Sequence, residues 1–314
     1  MAYTSEERAQ GLYQRRPIGD DGLPSAVLPE MYSRTTAGPQ AAAMILGERL
    51  RELRVERAIT MTSAANAIGC SVSLLSRLER AASQPSLKHV RNLAKYYDVT
   101  SEEAESLASL VSQALAPKWW HAYNEVVPDW WIRLVGLESA ATCVRLYEMR
   151  SVPGLLQTKE YARAVKKAGG VSEVPEGLLD FQAARQERFF GGSIQSTFLL
   201  DEGVLYRTFG GFEVMASQMQ HLIQEFDNPN LRIRIVPFSA KIGSPVASLT
   251  HILFAGLPDV AIVESVDSAV FISEEPSGKY KYLMDRLIYD SSSRSDSLEM
   301  LKVAKKRFAS EISV

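Results

Sequence analysis

The sequence predicts an all-α domain of five helices followed by an α+β domain, a multidomain chain. Three observations carry this. Between Ile45 and Glu103 apolar residues recur at helical spacing, punctuated by Gly69 and Pro85, so the segment reads as short helices with no strand. Further on, Leu231 to Pro237 alternates apolar and charged side chains, the two-residue period of a half-buried strand. Finally, 314 residues suffice for about two domains. The expected boundaries are an arm over 1–39, the helical domain over 40–116 and the α+β domain over 117–314.

Residues 1–39 hold Gly19, Asp20, Asp21, Gly22, Pro24, Pro29 and the run Thr35 to Pro39 with little periodicity, and read as an extended arm. In the first helix Ile45, Leu46, Leu50, Leu53 and Val55 recur near helical spacing, with Arg49, Arg51, Arg54 and Arg57 between them. Thr60 can cap the second helix, whose apolar face is Ala64, Ala65 and Ile68. Gly69 stands where that helix must stop, a position that favours a left-handed backbone. Ser71 restarts the chain as the next N-cap. In the third helix Leu75 and Leu78 lie on one face, while Val72, Ser73, Ser76, Arg77 and Arg80 fall on another. After Pro85 a fourth helix turns Val90, Leu93, Ala94 and Tyr97 inward, and the run Val99 to Glu103 opens a fifth.

Two compact helices about a glycine turn, the second presenting small polar groups and arginines, form a helix-turn-helix whose second helix fits the major groove of DNA. The alternative is an ordinary helical hairpin with a solvated basic face. Between Ala41 and Lys95 nine basic residues stand against four acidic ones, an excess of +5 in a chain whose formal net charge is −2. Such an excess suits a phosphate-facing patch. The DNA-facing candidates are Ser71, Val72, Ser73, Ser76, Arg77 and Arg80. For the arm, Arg15 and Arg16 reach a minor groove, or the arm embraces a second subunit, or it is a loosely ordered leader.

Five helices in this order resemble the Cro/phage-repressor (XRE) class of DNA-binding domain. Thr60, Ala64, Gly69, Ser73, Leu75, Leu78 and Glu79 stand where that class places its cap, close helix contact, turn, DNA-facing polar group, core and a buried acid. The resemblance implies that Glu79 pairs with Arg54 and locks the recognition helix to the scaffold; otherwise Glu79 is a solvated surface acid. The chain departs from the class at Met61, where a glutamine that touches DNA is usual. Leu74 is a second departure: it covers a thymine methyl or packs against another element.

From Pro117 the composition changes, and all four tryptophans, Trp119, Trp120, Trp130 and Trp131, lie within thirteen residues. They form a ligand-stacking box or fill the junction between the domains. A helix is expected from Leu137 to Tyr147, then Thr158 capping a helix over Lys159 to Lys167. The block Ala184 to Phe189 ends a helix, Thr197 to Glu202 reads as a strand, and Phe212 to Phe226 carries Met215, Met219, Leu222, Ile223 and Phe226 on one helical stripe. Leu249 to Ala255 and Val260 to Glu264 are expected to pair with the Leu231 strand. The tail, Tyr280 to Tyr289 and Ser295 to Phe308, returns to helices.

This second region is similar to that of actinobacterial helix-turn-helix regulators of an antitoxin-like family with a C-terminal domain of unassigned function. The matching words are Val152 to Ala164, Ala184 to Arg188, Leu200 to Leu205, Gly210 to Met215 and Val236 to Phe238. The resemblance implies a sequence-specific DNA-binding transcription regulator, a homodimer on double-stranded DNA, whose C-terminal domain senses a small-molecule effector or a protein partner. The alternative is an antitoxin-like module that sequesters a small protein partner and regulates its own synthesis. The candidate ligand or partner region is Trp119, Trp120, Trp130 and Trp131 with Leu155 and Gln157.

Several classes are disfavoured. At 46% apolar with a mean hydropathy of −0.09, the chain shows no run approaching a membrane span. Arg15-Arg16 is followed by Pro17, which breaks a twin-arginine export reading and leaves a cytoplasmic expectation. Cys70 and Cys143 offer neither a disulfide framework nor zinc spacing; each is expected as a small buried side chain, Cys143 within a helix. His89, His121, His221 and His251 are scattered, the glycine pairs lack a phosphate-cradling context, and no nucleophile elbow occurs. No catalysis, cofactor or metal is expected.

Overall fold

In the computed structural model the described residues are 39–241, 248–255, 258–265, 268–273 and 277–312; the arm falls outside them, bar Pro39. Five helices open the chain: α1 (Pro39–Glu56), α2 (Met61–Ile68), α3 (Val72–Glu79), α4 (Leu87–Tyr96) and α5 (Ser101–Ala114). The apolar stripes of all five meet in one core, with Leu46, Leu50, Leu75, Leu93 and Tyr97 inaccessible to solvent. The caps are built locally. Thr60 and Thr100 accept from the backbone N–H groups of Ser63 and Glu103, offsetting donors that a helix start leaves free.

A 3-10 turn (Trp119–Tyr123) leads into the α+β part. It comprises α6 (Asp129–Glu138), β1 (Cys143–Glu148), α7 (Lys159–Ala168), α8 (Glu176–Phe190), β2 (Gln195–Asp201), α9 (Phe212–Gln224), β3 (Leu231–Val236), β4 (Ser248–Leu253), β5 (Val260–Glu264), β6 (Ala269–Ser273), α10 (Ser277–Asp290) and α11 (Arg294–Ile312). The strands form one sheet in the order β3-β2-β1-β4-β5-β6. β1, β2 and β3 run parallel, joined by helical crossovers, and β4, β5 and β6 return antiparallel.

Alternate residues feed the two faces. Leu146, Phe198, Leu200, Ile233 and Ile262 pack into the larger core with Tyr161, Met215, Met219 and Leu301. Tyr147, Leu199, Leu249 and Ala261 face the other way, under Met284 and Leu287 of α10. The sheet is therefore a middle layer buried on both sides.

Two sequence expectations are corrected. The helix expected over Leu137–Tyr147 is the end of α6 followed by β1. Thr142 to Tyr147 is rich in β-branched and aromatic residues, and β1 lies inside the sheet between β2 and β4, so its apolar residues do not alternate cleanly and imitate a helical stripe. Cys143 accordingly opens a strand, and both cysteines are half-buried rather than buried. Second, β4 and β5 are not partners of β3. β3 pairs with β2 alone, from Ser196↔Leu231 to Asp201↔Val236, because β1 already occupies the place beside β4. The outer edge of β3 is covered: Ser292 N–H donates to Ile235 O at 2.8 Å and Ile235 N–H donates to Ser297 Oγ at 3.0 Å, which blunts an otherwise open edge.

The two parts touch where α1 crosses α6. A methyl at Gly136 of α6 would stand 3.1 Å from Gln40 Oε1, and Met44 packs against the sheet core.

Candidate nucleic-acid interface

The turn between α2 and α3 is set by Gly69, Cys70 and Ser71. Gly69 is left-handed, at φ 69° and ψ 38°, and Cys70 N–H returns to Ala65 O at 3.0 Å, the helix-ending bond that this backbone permits. Ser71 then starts α3, its Oγ accepting from Leu74 N–H at 3.1 Å. That bond occupies the hydroxyl as an acceptor and leaves its O–H to donate outward.

α3 buries Leu75, Leu78 and Glu79 and leaves the others exposed or half-buried. Ser71, Val72, Ser73, Arg77 and Arg80 are exposed and Ser76 is half-buried, on one continuous face. Arg80 Nε donates to Ser76 O at 3.2 Å. Val72 is 43% exposed, an apolar group at the start of a polar face. Leu74 is half-buried, and Met61 packs partly buried against the helical core.

The hold on this helix comes from behind. Arg54 donates through Nε to Glu79 Oε1 at 2.7 Å and through Nη2 to Glu79 Oε2 at 2.9 Å. The pair is bidentate and its side chains are 13% and 3% exposed, so Glu79 is not a solvated acid. The hydrogen bonds from Arg54 raise its pKa against burial. Tyr97 lies alongside, its hydroxyl buried without a partner among the described residues and pushed well up by burial and by the Glu79 charge.

Gly47 is the residue that sequence reading missed. A Cβ there would stand 2.5 Å from Glu79 O and 2.8 Å from Leu78 O, so the end of α3 lies directly on the α1 backbone. A single glycine inside an apolar helical stripe was the available signal. The basic patch is also smaller than composition implies. Arg49 is held by Glu103 at 2.6 Å and Glu52 at 3.0 Å, and Arg54 by Glu79, whereas Arg77, Lys88, Arg91 and Lys95 are exposed.

The tryptophans gather around Phe181 of α8. Trp119 stacks on it at 5.5 Å and Trp131 tilts against it at 5.6 Å. Trp120 is buried, and Trp130 has its indole N–H buried without an acceptor among the described residues. Protein cations lie over three of the rings: Arg188 4.6 Å from Trp119, Lys166 5.0 Å from Trp131 and Lys118 5.8 Å from Trp120. Burial, with Arg185 nearby, lowers Lys166 to about 8. Leu155 and Gln157 are buried. Gln157 donates to Val152 O at 2.7 Å and accepts from Gln182 at 3.2 Å, and Gln218 clamps the same segment through Leu156 O and Thr158 N–H. Beside them Arg185 and Glu138 form a bidentate pair at 2.8 and 2.5 Å, each about 5% exposed. Neither of the two cavities described is lined by a tryptophan, by Leu155 or by Gln157.

Among the described residues no cluster of three or more His, Cys, Asp or Glu could hold a metal ion, and no helix is long and apolar enough to cross a membrane. The family described as a domain of unknown function (DUF5753) matches residues 131–303, and the family described as a helix-turn-helix domain matches residues 45–107. Over 57 residues the chain is 47% identical to the HTH-type transcriptional regulator DdrOP3 of Deinococcus deserti, covering 18% of this chain and 44% of that protein. The match thus spans less than half of that relative. No solved structure matches the chain.

Proposed function

Since the chain belongs to the DUF5753 family, with a helix-turn-helix domain ahead of the family domain, we propose that it is a sequence-specific DNA-binding transcription regulator of the XRE type. It acts in the cytoplasm as a homodimer, because one such helix reads only a few base pairs and dimers bind two half-sites about one helical turn apart. The C-terminal domain senses a ligand or a protein partner and tunes that binding.

The observation that carries the reading is the face of α3. Small hydroxyls and Arg77 point outward from a helix capped at one end by Ser71 and pinned at the other by Arg54, with Arg80 exposed just past its end. Such a helix can enter a major groove without fraying, its hydroxyls meeting phosphates while Arg77 reaches a guanine edge.

Genome-wide mapping of bound DNA tests this. A recurrent short sequence with two-fold symmetry supports the reading. Recovery of no recurrent sequence, or of the same sites by a chain carrying Ser73→Glu and Arg77→Glu, contradicts it.

A further inference from the structure

Where the helical part meets the α+β part lies a half-open cavity of about 60 Å³. Its walls are Met44 of α1, Arg80 and Ala81 at the end of α3, Arg133 and Leu137 of α6, and Val260 of β5, among others. At roughly 10–15 Å³ per water-sized site, such a volume takes a group of about four to six heavy atoms. That is the size of a phosphate or a carboxylate.

The charges around it are unbalanced. Arg80 and Arg133 approach from different parts of the chain, and among the described residues neither guanidinium has a carboxylate within ion-pair distance. Arg133 lies on the Phe271 ring at 4.2 Å, and burial with Arg80 nearby pulls its pKa down. Of the acids on the wall, Glu79 gives both oxygens to Arg54 and Glu48 has an interaction of its own, as has the third arginine on the wall, Arg51. Two like charges facing one partly apolar space repel, and a small anion bound by both guanidinium forks would relieve that.

We infer that this cavity binds a small free anion, phosphate or carboxylate, between Arg80 of the recognition helix and Arg133 of the C-terminal part. The anion ties Arg80, the C-cap of α3, to α6, and so links the C-terminal domain to the orientation of the DNA-facing helix. Binding of the anion stands alone; its effect on DNA rests on the function proposed above, and requires different affinities for the two arrangements. A backbone phosphate of DNA has the same chemistry, so the first measurement is made without DNA.

The full chain is titrated with inorganic phosphate, and separately with acetate, at constant ionic strength in chloride, and its melting temperature is followed. Wild type should show a saturable rise with at least one of the two. Arg133→Gln should weaken that binding about tenfold or more, and Arg133→Lys, which keeps the charge but loses the fork, by less. Should Arg133→Gln fail to fold, the Lys variant carries the comparison. An absent or unsaturable shift in wild type, or equal affinity in all three proteins, overturns the site. For the coupling, affinity for a selected DNA sequence is measured with and without the bound anion. An unchanged affinity overturns the link to α3 and leaves the site standing. Failure to select any DNA sequence overturns the DNA reading, and the titration still reports on the anion.

Discussion

Replacing Gly47 by alanine sets two effects against each other. In a helix interior alanine is favoured over glycine by about 1 kcal/mol, so propensity alone predicts a stabilised α1. The added methyl, however, would stand 2.5 Å from Glu79 O, 2.8 Å from Leu78 O and 2.9 Å from Glu79 C. An ordinary carbon–oxygen contact is about 3.4 Å, so α1 and α3 must separate by roughly 0.6–0.9 Å, and overpacking of this kind costs about 1–3 kcal/mol. The obstructing atoms are backbone, which cannot rotate away, and their helix is already tied to α1 by Arg54. The upper part of that range applies, and the net loss should be about 1–2 kcal/mol. Urea unfolding followed by circular dichroism measures it. Gly278→Ala is the control, since a Cβ there meets nothing within 4 Å. Because the shift moves the end of α3, affinity for DNA should fall as well. A Gly47→Ala protein as stable as wild type, or more so, would refute the close approach of the two helices.

Glu79→Ala should cost about 3 kcal/mol, since it leaves a largely buried arginine unpaired, whereas Glu102→Ala on the solvent face of α5 should change little; equal midpoints for the two would sink the Arg54–Glu79 lock. Arg185→Met alone should cost about 3–5 kcal/mol by stranding Glu138, and adding Glu138→Leu should recover most of it, a comparison made by the same denaturation. Lys166 has a folded pKa lowered from 10.5 to about 8, so the unfolded chain holds the extra proton between those values and stability rises with pH through that window. Lys166→Met should therefore be stabilising at pH 7, with an advantage that shrinks from about pH 8 towards pH 10.5; an advantage that grows over this range would contradict the buried charge.

What the sequence made legible was governed by local rules. Thr60, Gly69, Ser71 and Thr158 could be placed because a cap or a left-handed turn depends on residues within one turn of helix. The strand at Leu231 showed its alternation because β3 is an edge strand whose Arg232 stays exposed. β1 did not, because a strand buried on both faces keeps no polar alternation. Pairing was also hidden: the placing of β1 between β2 and β4 is decided by crossovers through α7 and α8, at long range. At the candidate interface the outward residues of α3 followed from helical spacing, but Gly47 did not, since its role exists only where α3 crosses α1. The tryptophans were visible as a cluster, yet Phe181, which Trp119 and Trp131 share, lies fifty residues or more further on in sequence.

The central claim is that α3 reads base edges through Arg77, and binding-site selection from random DNA tests it most directly, with wild type, Arg77→Ala and Arg91→Ala side by side. Wild type should yield a recurrent two-fold sequence containing a guanine at a fixed place in each half-site. Arg77→Ala should lose preference at that position, a cost of about 1–3 kcal/mol for a bidentate guanine contact, while Arg91→Ala, exposed on α4, keeps the same sequence. An Arg77→Ala protein that selects the wild-type sequence with unchanged preference at every position contradicts the placement of α3 in the groove.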